Sequence, residues 1–136
     1  MAIKKIDHVA LVVRNIDDVL RLYRDVFGLR AGHIFTLKDQ RVKAALLRLG
    51  EAELELIAPT DAESGVAKFL ERSGEGLHHV CYESDDIQGD LLALEGKGCQ
   101  LVDKEPRPGL AGMIGFVHPR STHGALTELC EKPLPH

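Results

Sequence analysis

Two histidines and two glutamates stand in short apolar segments that predict β-strands. His8 precedes Glu55 by 47 positions, and His79 precedes Glu128 by 49. Two imidazoles and two carboxylates suit a divalent transition metal, and the two negative charges balance the charge of the ion. Because the same His-to-Glu arrangement occurs twice at nearly equal spacing, the chemistry that it indicates is metal binding.

The strand context makes a partner for these four residues necessary. Side chains alternate between the two faces of a strand, so each of the four shares a face with the residue two positions away. An unpaired carboxylate on an apolar face is costly to bury. A lone histidine or glutamate of this kind is more often structural or solvated, but a repeated pair favours a metal. The apolar neighbours two positions along are Ala10, Ile57, Cys81 and Cys130.

The elements that must position the four residues form an internal repeat. Each half predicts one strand, one helix and three further strands, a βαβββ unit. Asn15 in the first half and Asp86 in the second stand where an N-cap residue would begin the helix. The three later strands are predicted at 30–37, 42–49 and 53–58, and at 99–103, 113–118 and 125–130.

This repeat predicts one α+β domain over residues 1–136. Its parts are a first module at about 3–60, a linker helix at about 62–73 and a second module at about 76–133. A unit of this size buries too little surface to be comfortably stable alone, so we expect the two modules to cover each other's apolar sheet faces.

Composition excludes several classes of protein. The net charge is −4, and there is no basic run or aromatic stacking series, so nucleic acid is not expected as a partner. No apolar run approaches the length of a membrane span, and no apolar core of a secretory signal follows the N-terminus. The three cysteines are an odd number without a CxxC pair, which favours a reducing cytoplasm.

Several stretches resemble known proteins. The segments IDHVA at 6–10, LELIAP at 54–59 and GLHHV at 76–80 resemble the vicinal oxygen chelate superfamily. Within it, three more stretches resemble the methylmalonyl-CoA epimerase family. They are GVAKFL at 65–70, HPR at 118–120 followed by GALTEL at 124–129, and DQRV at 39–42.

The resemblance implies a fold and a metal site. The fold is α+β, with the two βαβββ modules forming a U-shaped mixed sheet around one metal. The residues that match its metal ligands are His8, Glu55, His79 and Glu128. Some members carry Gln where this chain has Glu55. The resemblance implies one divalent metal ion per chain, with cobalt first and zinc, nickel or manganese as alternatives.

The implied reaction interconverts the (2R) and (2S) epimers of methylmalonyl-CoA through a metal-stabilised enolate, with an acyl-CoA as substrate. Inversion at C2 needs one acid/base group on each face of the enolate. Family members place a Glu at the position of Asp39, which is one methylene shorter. The family also implies Glu128 as a second base. A solvated turn residue is the competing interpretation of Asp39.

Other assignments stay open. The CoA phosphates need cationic partners, and Lys104, Arg107 and Arg120 lie in predicted loops near the second half. Gly112 occupies the position that matches Asp39, in a loop where substrate could approach the backbone or which is simply a turn. Edge strands of an open sheet favour a homodimer.

Two functions compete with the epimerase. One is a glyoxalase I-like lactoylglutathione lyase, which has a similar metal site. The other is a metal-free small-molecule binding protein of the same fold, which has no need of four ligands. A related 2-alkylmalonyl-CoA is an alternative substrate.

Overall fold

The computed structural model describes residues 1–110 and 112–133. Three α-helices and eight β-strands follow the predicted βαβββ order twice, with a helix between the halves. Short 3-10 turns at Lys38–Gln40 and Pro119–Thr122 complete the described elements. In chain order the elements are β1 (Ile3–Val12), α1 (Ile16–Asp25), β2 (Ala31–Leu37), β3 (Val42–Leu49), β4 (Ala52–Pro59), α2 (Gly65–Ser73), β5 (Gly76–Ser84), α3 (Ile87–Gly96), β6 (Arg107–Gly109), β7 (Gly112–Val117) and β8 (Thr127–Glu131).

The helix starts follow the capping chemistry of the sequence. The Asn15 side chain accepts the backbone N–H of Asp18, and the Asp86 side chain accepts that of Gly89. Ser64 begins α2 in the same way by accepting the N–H of Val66. Each cap satisfies a donor that has no partner within its own helix.

The prediction of a strand at 99–103 is wrong. Only Leu101 forms an isolated bridge there, to Val117, and the sixth strand is β6 at Arg107–Gly109. The Asp103 carboxylate accepts the N–H of Phe116. A side chain therefore takes a place that a strand carbonyl would fill, and the chain turns away from the sheet before β6.

The chain groups into two compact units that cut across the sequence halves. The first unit is His8–His78, and the second combines Met1–Asp7 with the chain from His79 onward. The N-terminal segment is held in the second unit because Ala2 donates its N–H to the buried Asp90 carboxylate. None of the described helices has the length and apolarity needed to cross a membrane.

In the first unit, the strands lie in the order β2-β3-β4-β1. Helix α1 packs on one face through Ile16, against Leu47 and Leu56. The opposite face carries a smaller cluster of Ala10, Val42 and Ile57, with Val66 of α2 against it. By strand alternation, His8 and Glu55 belong to this second face.

In the second unit, the strands β5-β8-β7-β6 are neighbours in that order. Ile87 and Leu91 of α3 pack on one face against Leu129. The opposite face carries Cys81, Ile114 and Cys130, with Phe116 beside them. The two units therefore share one plan, in which a helix covers one sheet face and the other face carries a His and a Glu.

Candidate metal centre

His8 and Glu55 meet on neighbouring strands of the first unit. β1 and β4 are parallel, and Ala10 lies opposite Glu55, so His8 is the diagonal neighbour of Glu55 on the same face. A ring nitrogen of His8 and a carboxylate oxygen of Glu55 lie within 4.8 Å of each other. Both side chains are buried, with at most 7% of their surface exposed. This is the first of the two pairs that the sequence repeat predicts.

His79 and Glu128 form the equivalent pair in the second unit. β5 and β8 are parallel, and Cys81 lies opposite Glu128. The residue two positions after the histidine therefore faces the glutamate, as in the first pair. The Nε2 atom of His79 lies 3.1 Å from Oε1 of Glu128, and both side chains are buried. The repeat thus extends from residue spacing to strand register.

The donor chemistry of these residues fits a divalent transition metal. Each unit offers one imidazole nitrogen and one carboxylate, buried on the sheet face opposite α1 in the first unit and opposite α3 in the second. Imidazole and carboxylate are ligands of zinc, cobalt, nickel and manganese. A carboxylate buried to this extent needs a compensating positive charge, which such an ion supplies.

Phe116 supports the second pair, and sequence reasoning missed it. It lies opposite Glu128 in the β7–β8 register. Its ring meets the His79 ring edge to face, with 5.4 Å between the centroids and 87° between the planes. Such an aromatic contact limits rotation of the imidazole. Side-chain alternation along the predicted strand at 113–118 assigns Phe116 to one face of that strand. Only the pairing register shows that it lies opposite Glu128.

A second buried cluster lies in the same unit. Ligand-type atoms of Asp7, Cys81 and Cys130 lie within 4.8 Å of one another, and all three residues are buried. The hydrogen bond with Cys130 and burial raise the pKa of the Cys81 thiol well above its usual range. Lys132 places its Nζ 2.7 Å from Oδ1 of Asp7. A lysine therefore supplies the positive charge that this buried carboxylate needs.

Removing the Lys132 ammonium group is expected to destabilise the fold and to leave metal binding unchanged. We expect Lys132→Met to lower the free energy of unfolding by about 1–3 kcal/mol, because it removes the cation beside a buried carboxylate. Urea denaturation measures this effect. Lys68→Met, on the exposed surface of α2, is the matched control and is expected to change stability by less than about 0.5 kcal/mol. Equal stability of the two variants would contradict the role of Lys132 as the cation that compensates the buried Asp7 carboxylate.

Asp39 lies on a turn and not on a strand. It is exposed in the 3-10 turn between β2 and β3, and no hydrogen bond or ion pair joins it to another described residue. The turn itself is held: the Arg41 N–H donates to the Lys38 carbonyl, and the Thr60 N–H donates to the Arg41 carbonyl. The carboxylate of Asp39 is therefore accessible on a fixed turn.

A close backbone contact explains why a glycine stands at position 112. Its φ is +114°, and a Cβ built there would lie 2.4 Å from the carbonyl oxygen of Glu131. It also pairs with Gly109 at the end of the β6–β7 hairpin. The backbone of Glu131 occupies the space, so no side chain that matches Asp39 fits at this position.

A family model described as the Glyoxalase/Bleomycin resistance protein/Dioxygenase superfamily matches residues 7–116. The chain belongs to this superfamily. The match contains His8, Glu55 and His79 and includes both βαβββ starts, so the α+β fold predicted for a superfamily member is confirmed.

Relatives within the superfamily indicate which class of enzyme this chain belongs to. An uncharacterized protein of Bacillus subtilis is 41% identical over 93% of this chain and 91% of its own. The ethylmalonyl-CoA/methylmalonyl-CoA epimerase of Cereibacter sphaeroides is 32% identical over 93% of this chain and 97% of its own. The solved structure of a variant methylmalonyl-CoA epimerase of Streptomyces coelicolor, in complex with 2-nitronate-propionyl-CoA, is 33% identical. It has a TM-score of 0.90 over 96% of both chains. With relatives of this kind along nearly its whole length, this superfamily member is an enzyme of the epimerase class, as predicted.

Proposed function

We propose that this enzyme interconverts (2R)- and (2S)-methylmalonyl-CoA with the help of one divalent metal ion. The observation that carries the proposal is the repeated buried His–Glu pair, one in each unit and in the same strand register. The epimerase relatives supply the substrate class, since one of them is named for methylmalonyl-CoA and ethylmalonyl-CoA. A 2-alkylmalonyl-CoA with a longer branch is therefore the nearest alternative substrate.

Four residues of one domain hold the metal in this proposal: His8, Glu55, His79 and Glu128. Cobalt is the first candidate, and zinc, nickel and manganese suit the same donors. When bound, the ion supplies Lewis acidity that stabilises the negative charge developing on the thioester oxygen. The buried apolar clusters on the faces of both pairs strengthen such electrostatic stabilisation.

Proton transfer at C2 is assigned to two carboxylates of this chain. Asp39 removes or returns the proton on one face of the substrate, and Glu128 does so on the other. Asp39 suits this role because its carboxylate is exposed on a turn fixed by backbone hydrogen bonds. Glu128 suits it because its carboxylate lies beside the His79 imidazole. Inversion requires such a group on each side of the planar intermediate.

The setting proposed for the enzyme is the cytoplasm, where it acts as a homodimer. All three cysteines are free thiols, as expected in a reducing compartment. Among the described strands, β2 pairs only with β3, and β6 pairs only with β7. Such edge strands are surfaces on which a second copy can pair or pack.

A comparison of two substrates separates this function from its closest rival. The purified, metal-loaded enzyme is incubated with (2S)-methylmalonyl-CoA and, in parallel, with the hemithioacetal of glutathione and methylglyoxal. We expect the first to yield the (2R) epimer, detected by chiral analysis of the hydrolysed acid, and the second to remain unchanged. Turnover of the hemithioacetal alone would assign a lactoylglutathione lyase, and binding without turnover of either would assign a binding protein.

A further inference from the structure

One cation is built into the sheet face that carries His79 and Glu128. Arg107 on β6 lies opposite Ile114 on β7, and Ile114 belongs to the apolar cluster on that face. The Arg107 guanidinium lies over the Phe116 ring, with Cζ 5.7 Å from the ring centroid. A cation above an aromatic face is attracted by the ring quadrupole, so the contact holds the guanidinium in place.

The same ring connects Arg107 to the candidate metal ligands. Phe116 packs its ring edge to face with His79 and lies opposite Glu128 in the register. A single phenyl ring therefore separates the guanidinium from the imidazole. Asp103 fixes the arrangement from the other side: its Oδ1 accepts the Arg107 Nε–H at 3.0 Å, while its Oδ2 accepts the Phe116 N–H.

The guanidinium keeps most of its hydrogen-bonding capacity. Only Nε is engaged, by Asp103, and in the described part of the chain no hydrogen bond or ion pair involves its two terminal nitrogens. Its side chain is 45% exposed. Two terminal N–H groups in a planar fork match the two oxygens of a carboxylate.

We infer that Arg107 binds the free carboxylate of the acyl-CoA substrate and thereby selects malonyl-type thioesters over simple acyl thioesters. This inference rests on the proposed function, because it takes the substrate to be a 2-carboxyacyl-CoA. Arg107 acts by binding and orientation and takes no proton. Asp103 is a positioning residue, since it holds the guanidinium above Phe116.

The position of Arg107 favours the carboxylate over the CoA phosphates. The carboxylate is attached to the carbon that reacts, whereas the phosphates follow the whole pantetheine arm. A guanidinium one ring away from His79 lies at the reacting end. The other cations near this part of the chain differ: Lys104 is 79% exposed and pairs with Glu95, and Arg120 is exposed beyond β7.

Binding measurements with two ligands test this inference. Methylmalonyl-CoA and propionyl-CoA differ only by the carboxylate, and calorimetry gives the Kd of each for metal-loaded protein. We expect Arg107→Met to weaken methylmalonyl-CoA binding about tenfold to hundredfold and to leave propionyl-CoA binding unchanged. Arg107→Lys is expected to recover part of the loss, since it keeps the charge but lacks the fork. Arg24→Met, at an exposed arginine of α1 that pairs with Asp25, is the matched control and is expected to change neither Kd.

Two outcomes would overturn the inference. Equal weakening of both ligands would assign Arg107 to the phosphates or to the structure of the unit. Unchanged binding of methylmalonyl-CoA would leave the residue without a ligand. Metal content and thermal unfolding of each variant show whether the fold is intact. This test measures binding and not turnover. A wild-type protein that binds methylmalonyl-CoA through Arg107 but does not epimerise it would contradict the proposed function and leave this inference intact.

Discussion

Replacing His79 by alanine is expected to remove the bound metal entirely and to slow epimerisation about 100-fold to 1,000-fold or more. His79 lies 3.1 Å from Glu128, so its loss removes one ligand and the neighbour that orients another. Metal content is measured by inductively coupled plasma mass spectrometry, with about one ion per wild-type chain expected for a single site. The rate is followed by chiral analysis of the product.

The first unit supplies the decisive comparison. If four residues hold one ion, His8→Ala is expected to abolish binding to the same extent as His79→Ala. If each His–Glu pair were an independent site, each variant would lose only half of the protein's metal, and this result would contradict a single shared site. His33→Ala is the matched control, because His33 is an exposed histidine on β2 and is expected to retain metal and activity. Circular dichroism checks that each variant is folded.

Replacing Asp39 by asparagine is expected to slow epimerisation about 100-fold to 10,000-fold while leaving the metal content unchanged. The amide cannot take the C2 proton, yet it fits an exposed turn whose backbone hydrogen bonds do not involve this side chain. The epimerisation rate is measured by chiral analysis, and exchange of the C2 proton with solvent is measured separately for each pure epimer. We expect exchange to be slowed for the epimer whose C2 proton faces Asp39 and to be retained for the other, since Glu128 serves the opposite face.

Two further variants define the role of Asp39. Asp39→Glu is expected to remain active, because it restores the longer side chain that resembles the family pattern. Asp17→Asn, an exposed carboxylate in the first turn of α1, is the matched control and is expected to leave the rate unchanged. An unchanged rate in Asp39→Asn would remove this residue as a base and leave it a solvated turn residue.

Much of the fold could be read from local chemistry. Asn15 and Asp86 marked helix starts because their side chains satisfy helix N–H groups, and the structure shows both caps. The two glutamates are predicted as ligands because a carboxylate on an apolar strand face needs a partner. The repeated spacing associates each of them with a histidine, and the structure pairs β1 with β4 and β5 with β8 in the same parallel way.

What the sequence could not give depends on contacts between distant segments. Apolar composition at 99–103 predicted a strand, but the Asp103 side chain takes up a ladder hydrogen bond and the strand forms at β6 instead. The contacts of Lys132 with Asp7 and of Arg107 with Phe116 join residues whose proximity follows only from register. Three loop cations looked equivalent until the pairing of β6 with β7 singled out Arg107.

The most direct measurement is exchange of the C2 proton of methylmalonyl-CoA in deuterated water, followed by NMR. It is recorded with metal-loaded protein, with protein stripped by a chelator, and with stripped protein reloaded with cobalt. We expect rapid exchange in the first sample, loss of exchange in the second and recovery in the third. Exchange that continues unchanged after the metal has been removed, or its absence in all three samples, would contradict a metal-dependent epimerase.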